Sequence, residues 1–202
     1  MTDYTVHIVD DEEPVRKSLA FMLTMNGYAV KVHQSAAAFL SFAPDVQSGI
    51  LITDLRMPEM TGVDLIRRLR DQNLRIPAIV ITGHGDVPMA VEAMKAGAVD
   101  FIEKPFGDAV IMEAIERAAG HLGENNAEQG ADVEARLKTL SERERQVLSA
   151  VVAGLPNKSI AYDLDISPRT VEVHRANVMA KMQAKSLPHL VRMALAAGLG
   201  SS

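Results

Sequence analysis

Five short apolar runs, each followed by an amphipathic segment, constrain what the first half of this chain can become. The runs are TVHIV (5–9), AVKVH (29–33), ILIT (50–53), AIVIT (78–82) and DFIEK (100–104). The amphipathic segments lie near 13–26, 35–42, 62–72, 87–96 and 108–122. Runs this short suit strands, and strands separated by helices pair in parallel. The pattern predicts an α/β unit: a five-stranded, doubly wound parallel sheet with helices on both faces.

After Leu122 the pattern changes. GENNAEQGAD (123–132) is polar and reads as a linker or a frayed helix end. From Leu140 onward strand signals vanish and four helices are expected. Ser141 and Glu144 have capping-box spacing, Ser167-Pro168 reads as an N-cap with Pro at the first helical position, and Ser186 opens the last helix. The expected division is a sheet domain at 1–122, a linker or helix extension at 123–138, and a small all-α domain at 139–202. Charge follows this division. Residues 1–122 carry 11 Lys and Arg against 17 acids, whereas residues 141–202 carry eight against five. The basic end is therefore the candidate for meeting a polyanion.

The sheet half poses a chemical problem at ILITDLRMP (50–58). A buried run ends on Asp54, and an ionised carboxylate is costly to bury unpaired. Its partners are expected at the other strand ends: Asp10-Asp11 after the first, Thr82 at the fourth, and Lys104-Pro105 after the fifth. Parallel strands present their carboxyl ends on one rim, where open α/β sheets bind ligands. Clustered carboxylates want a hard divalent cation, Mg²⁺ or Mn²⁺. Asp11, Asp54 and the backbone carbonyl of Arg56 are the expected direct ligands, with Asp10 acting through water. Lys104 supplies a fixed positive charge suited to a phosphoryl group in transit, and Asp54 can serve as the nucleophile.

Asp10-Asp11, DLRMP (54–58), Thr82-Gly83, AGAVDFIEKPF (96–106) and Lys104-Pro105 together resemble the receiver domain of two-component response regulators. The resemblance covers about residues 3–122 and implies the flavodoxin-like strand order 2-1-3-4-5. It implies that Asp54 accepts phosphate from a phosphohistidine on a sensor histidine kinase, and that Lys104-Pro105 is cis. It further assigns a switch to Thr82 and Phe101. The Thr hydroxyl would draw in the loop carrying Gly83 and Gly85, and Phe101, which has no hydroxyl, would respond through packing. The fourth helix, fifth strand and fifth helix would then form a homodimer surface.

PNKSIAYDLDISPRTVEVHRANVMAKM (156–182) reads helix, tight turn, helix. Ile160, Ala161 and Leu164 are expected to face inward, Ile166 to plug the turn, and Val171, Val178 and Met182 to line the second helix. His174 is expected to pack at the edge of that stripe. Glu172, Val173, Arg175, Ala176 and Asn177 lie on the opposite face, and such a helix fits the major groove of double-stranded DNA. Residues 140–182 resemble the LuxR-type helix-turn-helix. The resemblance implies that Glu172, Val173 and Ala176 meet bases. Lys158, Arg169, Thr170, Arg175 and Lys181 are placed for phosphates, which position without specifying. Across nearly its whole length the chain resembles the nitrogen-fixation branch of the receiver-plus-LuxR regulators. That likeness implies an oxygen-sensing haem kinase as phosphate donor and nitrogen-fixation promoters as targets, with RNA polymerase as a further partner. Nothing in the residues themselves shows oxygen dependence.

Several classes are excluded. The chain has no Cys, hence no disulfide framework and no thiolate metal site. The N-terminus lacks the apolar core of a signal peptide, and no run nears the roughly 20 residues that span a bilayer. A cytoplasmic protein without membrane contact is expected. GLPNKS (154–159) has Asn157 where a P-loop needs its second Gly, and GHGDVP (83–88) has Pro88 where a dinucleotide loop needs its third. Two alternatives remain: a phosphate-independent DNA-binding regulator, and a phosphohydrolase with Asp54 as nucleophile. The second leaves residues 140–202 unexplained.

Overall fold

The computed structural model describes residues 3–83, 87–122 and 130–199. These form two compact units. The first contains β1 (Thr5–Val9), α1 (Glu13–Met25), β2 (Ala29–His33), α2 (Ala36–Phe42), β3 (Gly49–Asp54), α3 (Gly62–Asp71), β4 (Ala78–Thr82), β5 (Asp100–Glu103) and α5 (Asp108–Ala119). In chain order α4 (Val87–Ala96) lies between β4 and β5. The strands run parallel in the order β2-β1-β3-β4-β5, as expected. The expected fifth helix reached Leu122, but α5 stops at Ala119, where Gly120, a poor helix former, takes the cap position.

Strand side chains alternate between the two faces, and the two faces are covered differently. On one, Val6, Ile8, Ile50, Ile52, Ile79, Ile81 and Ile102 pack with Leu19 and Leu23 of α1 and Ile111, Ala114, Ile115 and Ala118 of α5. On the other, α2 and α3 contribute Phe39, Leu65, Ile66 and Leu69, all buried. The three inner strands β1, β3 and β4 are buried along almost their whole length, which explains why they read as continuous apolar runs.

The second face also holds a pair of buried histidines. His7 Nδ1 lies 3.1 Å from His33 Nε2, with the two rings stacked on each other and packed, tilted or edge-on, against Phe39 and Phe42. Lys31 sits 3.5 Å above the Phe42 ring. Desolvation lowers the pKa of His7 to about 4, with further lowering from His33 and Lys31. Desolvation, then Lys31, also lowers that of His33.

The all-helical unit contains α6 (Gly130–Lys138), α7 (Glu142–Val152), α8 (Asn157–Asp163), α9 (Pro168–Met182) and α10 (Leu187–Ala196). Its core joins Val133, Leu140, Leu148, Val152, Val178, Met182, Leu190, Met193 and Ala194. The four helices expected after Leu140 are present. Helix α6 differs from the expectation of a linker or an extended helix over 123–138. Val133 and Leu137, with Leu140 just beyond the helix, recur at helical spacing, and the first two pack into or against this core. The polar stretch before them masked that period. Residues 123–129 lie outside the described residues.

Side-chain caps set the helix starts. Ser141 and Glu144 form a capping box, and Ser167 and Ser186 accept N–H bonds from Thr170 and His189. Between α8 and α9 the chain reverses through Asp165 in the left-handed region (φ 52°), and Ile166 N–H donates to the Ala161 carbonyl. Ile160 and Ala161 are buried, whereas Leu164 and Ile166 are only half-buried. No helix among the described residues is long and apolar enough to cross a membrane.

Candidate functional site

The register levels the carboxyl ends of the strands: Val9 pairs with Thr53, Asp54 with Ile81, and Thr82 with Glu103. Asp54 is the last residue of β3, Asp10 follows β1, Thr82 closes β4 and Lys104 follows β5. Lys104 Nζ donates to Asp54 Oδ1 at 2.8 Å and to Asp10 Oδ2 at 3.3 Å, linking residues from three strands. Each carboxylate also has a backbone donor. Arg56 N–H donates to Asp54 Oδ2 at 2.7 Å, and Glu12 N–H to Asp10 Oδ1 at 2.8 Å. Lys104 N–H donates to the Thr82 carbonyl at 2.7 Å, fixing the root of the lysine. Lys104-Pro105 is cis, as the resemblance implied.

One ammonium thus serves two carboxylates, and the buried cluster keeps an excess negative charge. Asp10 is fully buried. Desolvation pushes its pKa up despite the opposing Glu12 N–H and Lys104 charge. Burial alone would lower the Lys104 pKa, but its bonds and charge contacts with Asp54 and Asp10 outweigh this and raise it. Hard oxygen donors with uncompensated charge fit a small divalent cation. Among the described residues no group of three carboxylates or imidazoles stands together as a ready-made metal cage. Asp11 is exposed beside the buried Asp10, so the structure brings Asp10 and Asp54 together through Lys104 and leaves Asp11 at the rim. Thr82 is buried, and Phe101 is half-buried opposite Val80. Gly83 is exposed, and Gly85 lies outside the described residues.

Sequence reasoning missed what holds the Asp54 loop. Gly62 N–H donates to the Leu55 carbonyl, and a β-carbon at Gly62 would collide with the Asp54 carbonyl oxygen. Thr61 and Asp64 cap α3 reciprocally at this point. The T-x-x-D spacing was the available signal.

In the helical unit the predicted DNA-facing residues separate into two groups. Lys158, Arg169, Glu172, Val173, Ala176 and Asn177 are exposed, and Thr170 is half-buried near the α9 N-cap. Arg175 is half-buried, and its Nη1 donates to Asn157 Oδ1 at 2.6 Å. Burial lowers its pKa, opposed by Glu172. Lys181, expected on phosphate, donates to buried Glu144 at 2.7 Å and to the Thr139 carbonyl at 3.3 Å. His174 is half-buried, with Nδ1 buried and unpartnered.

A family model described as the response regulator receiver domain matches residues 6–116, and one described as bacterial regulatory proteins, luxR family, matches residues 138–194. The transcriptional regulatory protein FixJ of Rhizobium meliloti (strain 1021) is 80% identical, with both chains covered fully. The chain belongs to the FixJ-type response regulators. FixJ of Bradyrhizobium diazoefficiens is 48% identical over 96% of each chain. The crystal structure of FixJ-N shares 78% identity over 62% of this chain and 100% of its own, at a TM-score of 0.59. Full-length FixJ from B. japonicum shares 48% over 98% of each chain, at 0.55. FixJ-type membership makes this a DNA-binding transcription regulator with a histidine kinase and DNA as partners. Receiver domains generally use Mg²⁺ for phosphorylation.

Proposed function

We propose that the chain is a transcriptional activator switched by phosphorylation of Asp54, with phosphoryl acceptance in residues 1–122, DNA reading in 139–202, and 123–138 between them. The observation that carries this reading is Lys104 Nζ shared between Asp54 and Asp10 at the strand ends. A carboxylate oxygen of Asp54 attacks the phosphorus of a phosphohistidine. The O–P bond forms as the P–N bond breaks, and the imidazole nitrogen keeps the electron pair and takes up a proton. Lys104 stabilises the charge on the transferred oxygens, and the Thr82 hydroxyl donates to one of them. Asp10, Asp11, Asp54 and the Arg56 carbonyl would hold Mg²⁺ or Mn²⁺, which when bound supplies further positive charge to those oxygens. Asp10 and Asp11 keep the site anionic enough to retain a dication, and the Arg56 N–H orients the acceptor.

Thr82 and Phe101 form the switch that reports the phosphoryl group, and phosphorylation leads to a homodimer. The donor is a FixL-like, oxygen-sensing haem kinase, and the targets are nitrogen-fixation promoters read in the cytoplasm together with RNA polymerase. The 80% identity to a FixJ supports these assignments. On DNA, Glu172, Val173 and Ala176 face the bases, with Asn177 on the same side of the helix, while Lys158, Arg169, Thr170 and Arg175 meet phosphates; their positions on or beside α9 support this. Intact-mass measurement after incubation with acetyl phosphate and Mg²⁺ tests the acceptor. The wild-type chain should gain one hydroxylamine-labile phosphoryl group and Asp54→Asn none. A labelled Asp54→Asn chain would overturn the assignment.

A further inference from the structure

The C-terminal end of α9 is gripped from three directions. Lys181 Nζ reaches Glu144 at 2.7 Å and the Thr139 carbonyl at 3.3 Å. Arg136 Nη1, from α6, donates to the carbonyl of Met182, the last residue of α9, at 3.1 Å. Glu144 is 4% exposed and accepts the Ser141 N–H at 2.7 Å through the same oxygen that takes Lys181. Thr139 in turn donates its hydroxyl to the Arg136 carbonyl at 2.7 Å. The stretch 136–144 is therefore one hydrogen-bonded socket. Two of its contacts fall on Lys181, and a third falls on a carbonyl that no further turn of α9 can satisfy.

A helix held at one end by directional bonds has its rotation and axial register set. Glu172, Val173, Ala176 and Asn177 stand exposed further along the same helix. A small rotation at the socket would move all four relative to base edges, whose hydrogen-bond pattern tolerates little displacement. Backbone phosphates, repeated along both strands, are far less sensitive to such a shift.

We propose that Glu144, Lys181 and Arg136 are positioning residues for DNA sequence reading, with Lys181 acting on Glu144 instead of on a DNA phosphate. This rests on the assignment of α9 as the base-reading helix. A merely stabilising pair would lower folding stability and leave the ratio of specific to non-specific affinity unchanged in the folded fraction. A phosphate-binding Lys181 would lower affinity for every duplex and reduce the salt slope by about 0.9.

The test uses the full-length chain treated with acetyl phosphate and Mg²⁺. A duplex is selected from random sequence by the wild-type chain, and a scrambled duplex of equal length serves as the non-specific probe. Failure to select any sequence would overturn base reading by α9 itself, a result separate from the outcomes that follow. Affinities of Glu144→Gln, Lys181→Met, the double variant and Arg136→Ala are measured across a salt series, with circular dichroism melts identifying the folded fraction. Glu144→Gln and Lys181→Met should each lower the ratio of specific to non-specific affinity roughly tenfold, with little further loss in the double variant and an unchanged salt slope. Arg136→Ala should lower the same ratio by a smaller factor. Either a reduced salt slope in Lys181→Met with Glu144→Gln unaffected, or an unchanged ratio in all folded variants, would overturn the proposal.

Discussion

The rim of the sheet and the outer surface of α9 use the same residue types in opposite circumstances. At the rim, Lys104 is confined between two buried carboxylates, and its neighbours leave its ammonium one place to be. On and around α9 the cations have a choice. Lys158 and Arg169 face solvent, whereas Lys181 turns back to Glu144 and Arg175 to Asn157. A buried charge advertises its partner through the cost of lacking one. An exposed charge carries no such obligation, so its residue type alone does not say whether it faces DNA or the protein.

Four measurements can break or sharpen this contrast. The largest expected effect concerns the sheet unit's buried histidines in acid. Both His7 and His33 are depressed in the folded state, so they stay neutral where the unfolded chain, with its ordinary histidine pKa near 6.5, takes up protons. Their contribution is intact above about pH 6.5 and is lost as pH falls toward about 4, the folded value for His7. The loss from His7 amounts to roughly 3 kcal/mol. Denaturant melts from pH 8 to pH 5 should show this decline, and a His7→Asn, His33→Asn chain should show a shallower one. An equally steep decline in the double variant would place acid sensitivity elsewhere.

Next in size is Gly62→Ala. The added methyl meets the Asp54 carbonyl, a backbone atom, so the chain must shift at a cost of about 2 kcal/mol. Thermal melts would register it, and phosphoryl uptake from acetyl phosphate should slow as well. An unchanged rate would mean that the Asp54 loop tolerates displacement.

Asp10→Asn should act in the opposite direction. Its folded pKa is raised, so the ionised group costs stability at neutral pH, and that cost disappears as pH falls through the folded pKa. The amide removes the charge and should stabilise the metal-free chain while weakening the Mg²⁺ dependence of labelling. Destabilisation would show that the Lys104 bridge outweighs the burial of the second carboxylate.

The smallest effect lies on the helical side. Lys158→Ala and Arg169→Ala should each reduce the salt slope of DNA binding by about one, and Arg175→Ala by less, because Asn157 already engages its guanidinium. Equal slopes for all three would erase the distinction between outward and inward cations.

What the sequence disclosed follows the same divide. The parallel sheet and the convergence of Asp10, Asp54 and Lys104 were legible because strand-end position is a topological fact once the alternation is recognised, whereas the strand order came from the receiver resemblance. The capping residues Ser141, Ser167 and Ser186 were legible because capping is local. The socket around Lys181 was not, since it joins residues up to 46 positions apart across three helices. Helix α6 was hidden by the polar stretch before it. The His7–His33 pair escaped because two histidines 26 residues apart show no relation until β1 and β2 pair. Gly62 was unremarkable in sequence, and only the approach of the Asp54 carbonyl gives it a role.

Equilibrium binding of the full-length chain to a self-selected duplex, with and without acetyl phosphate in Mg²⁺, bears most directly on the claim that the Asp54 centre governs DNA affinity. Phosphoryl donor should tighten binding of the wild-type chain at least about tenfold, the scale of an ordinary coupling free energy, and leave Asp54→Asn unchanged. Equal affinity for the wild-type chain in the two conditions, despite confirmed phosphorylation, would contradict it.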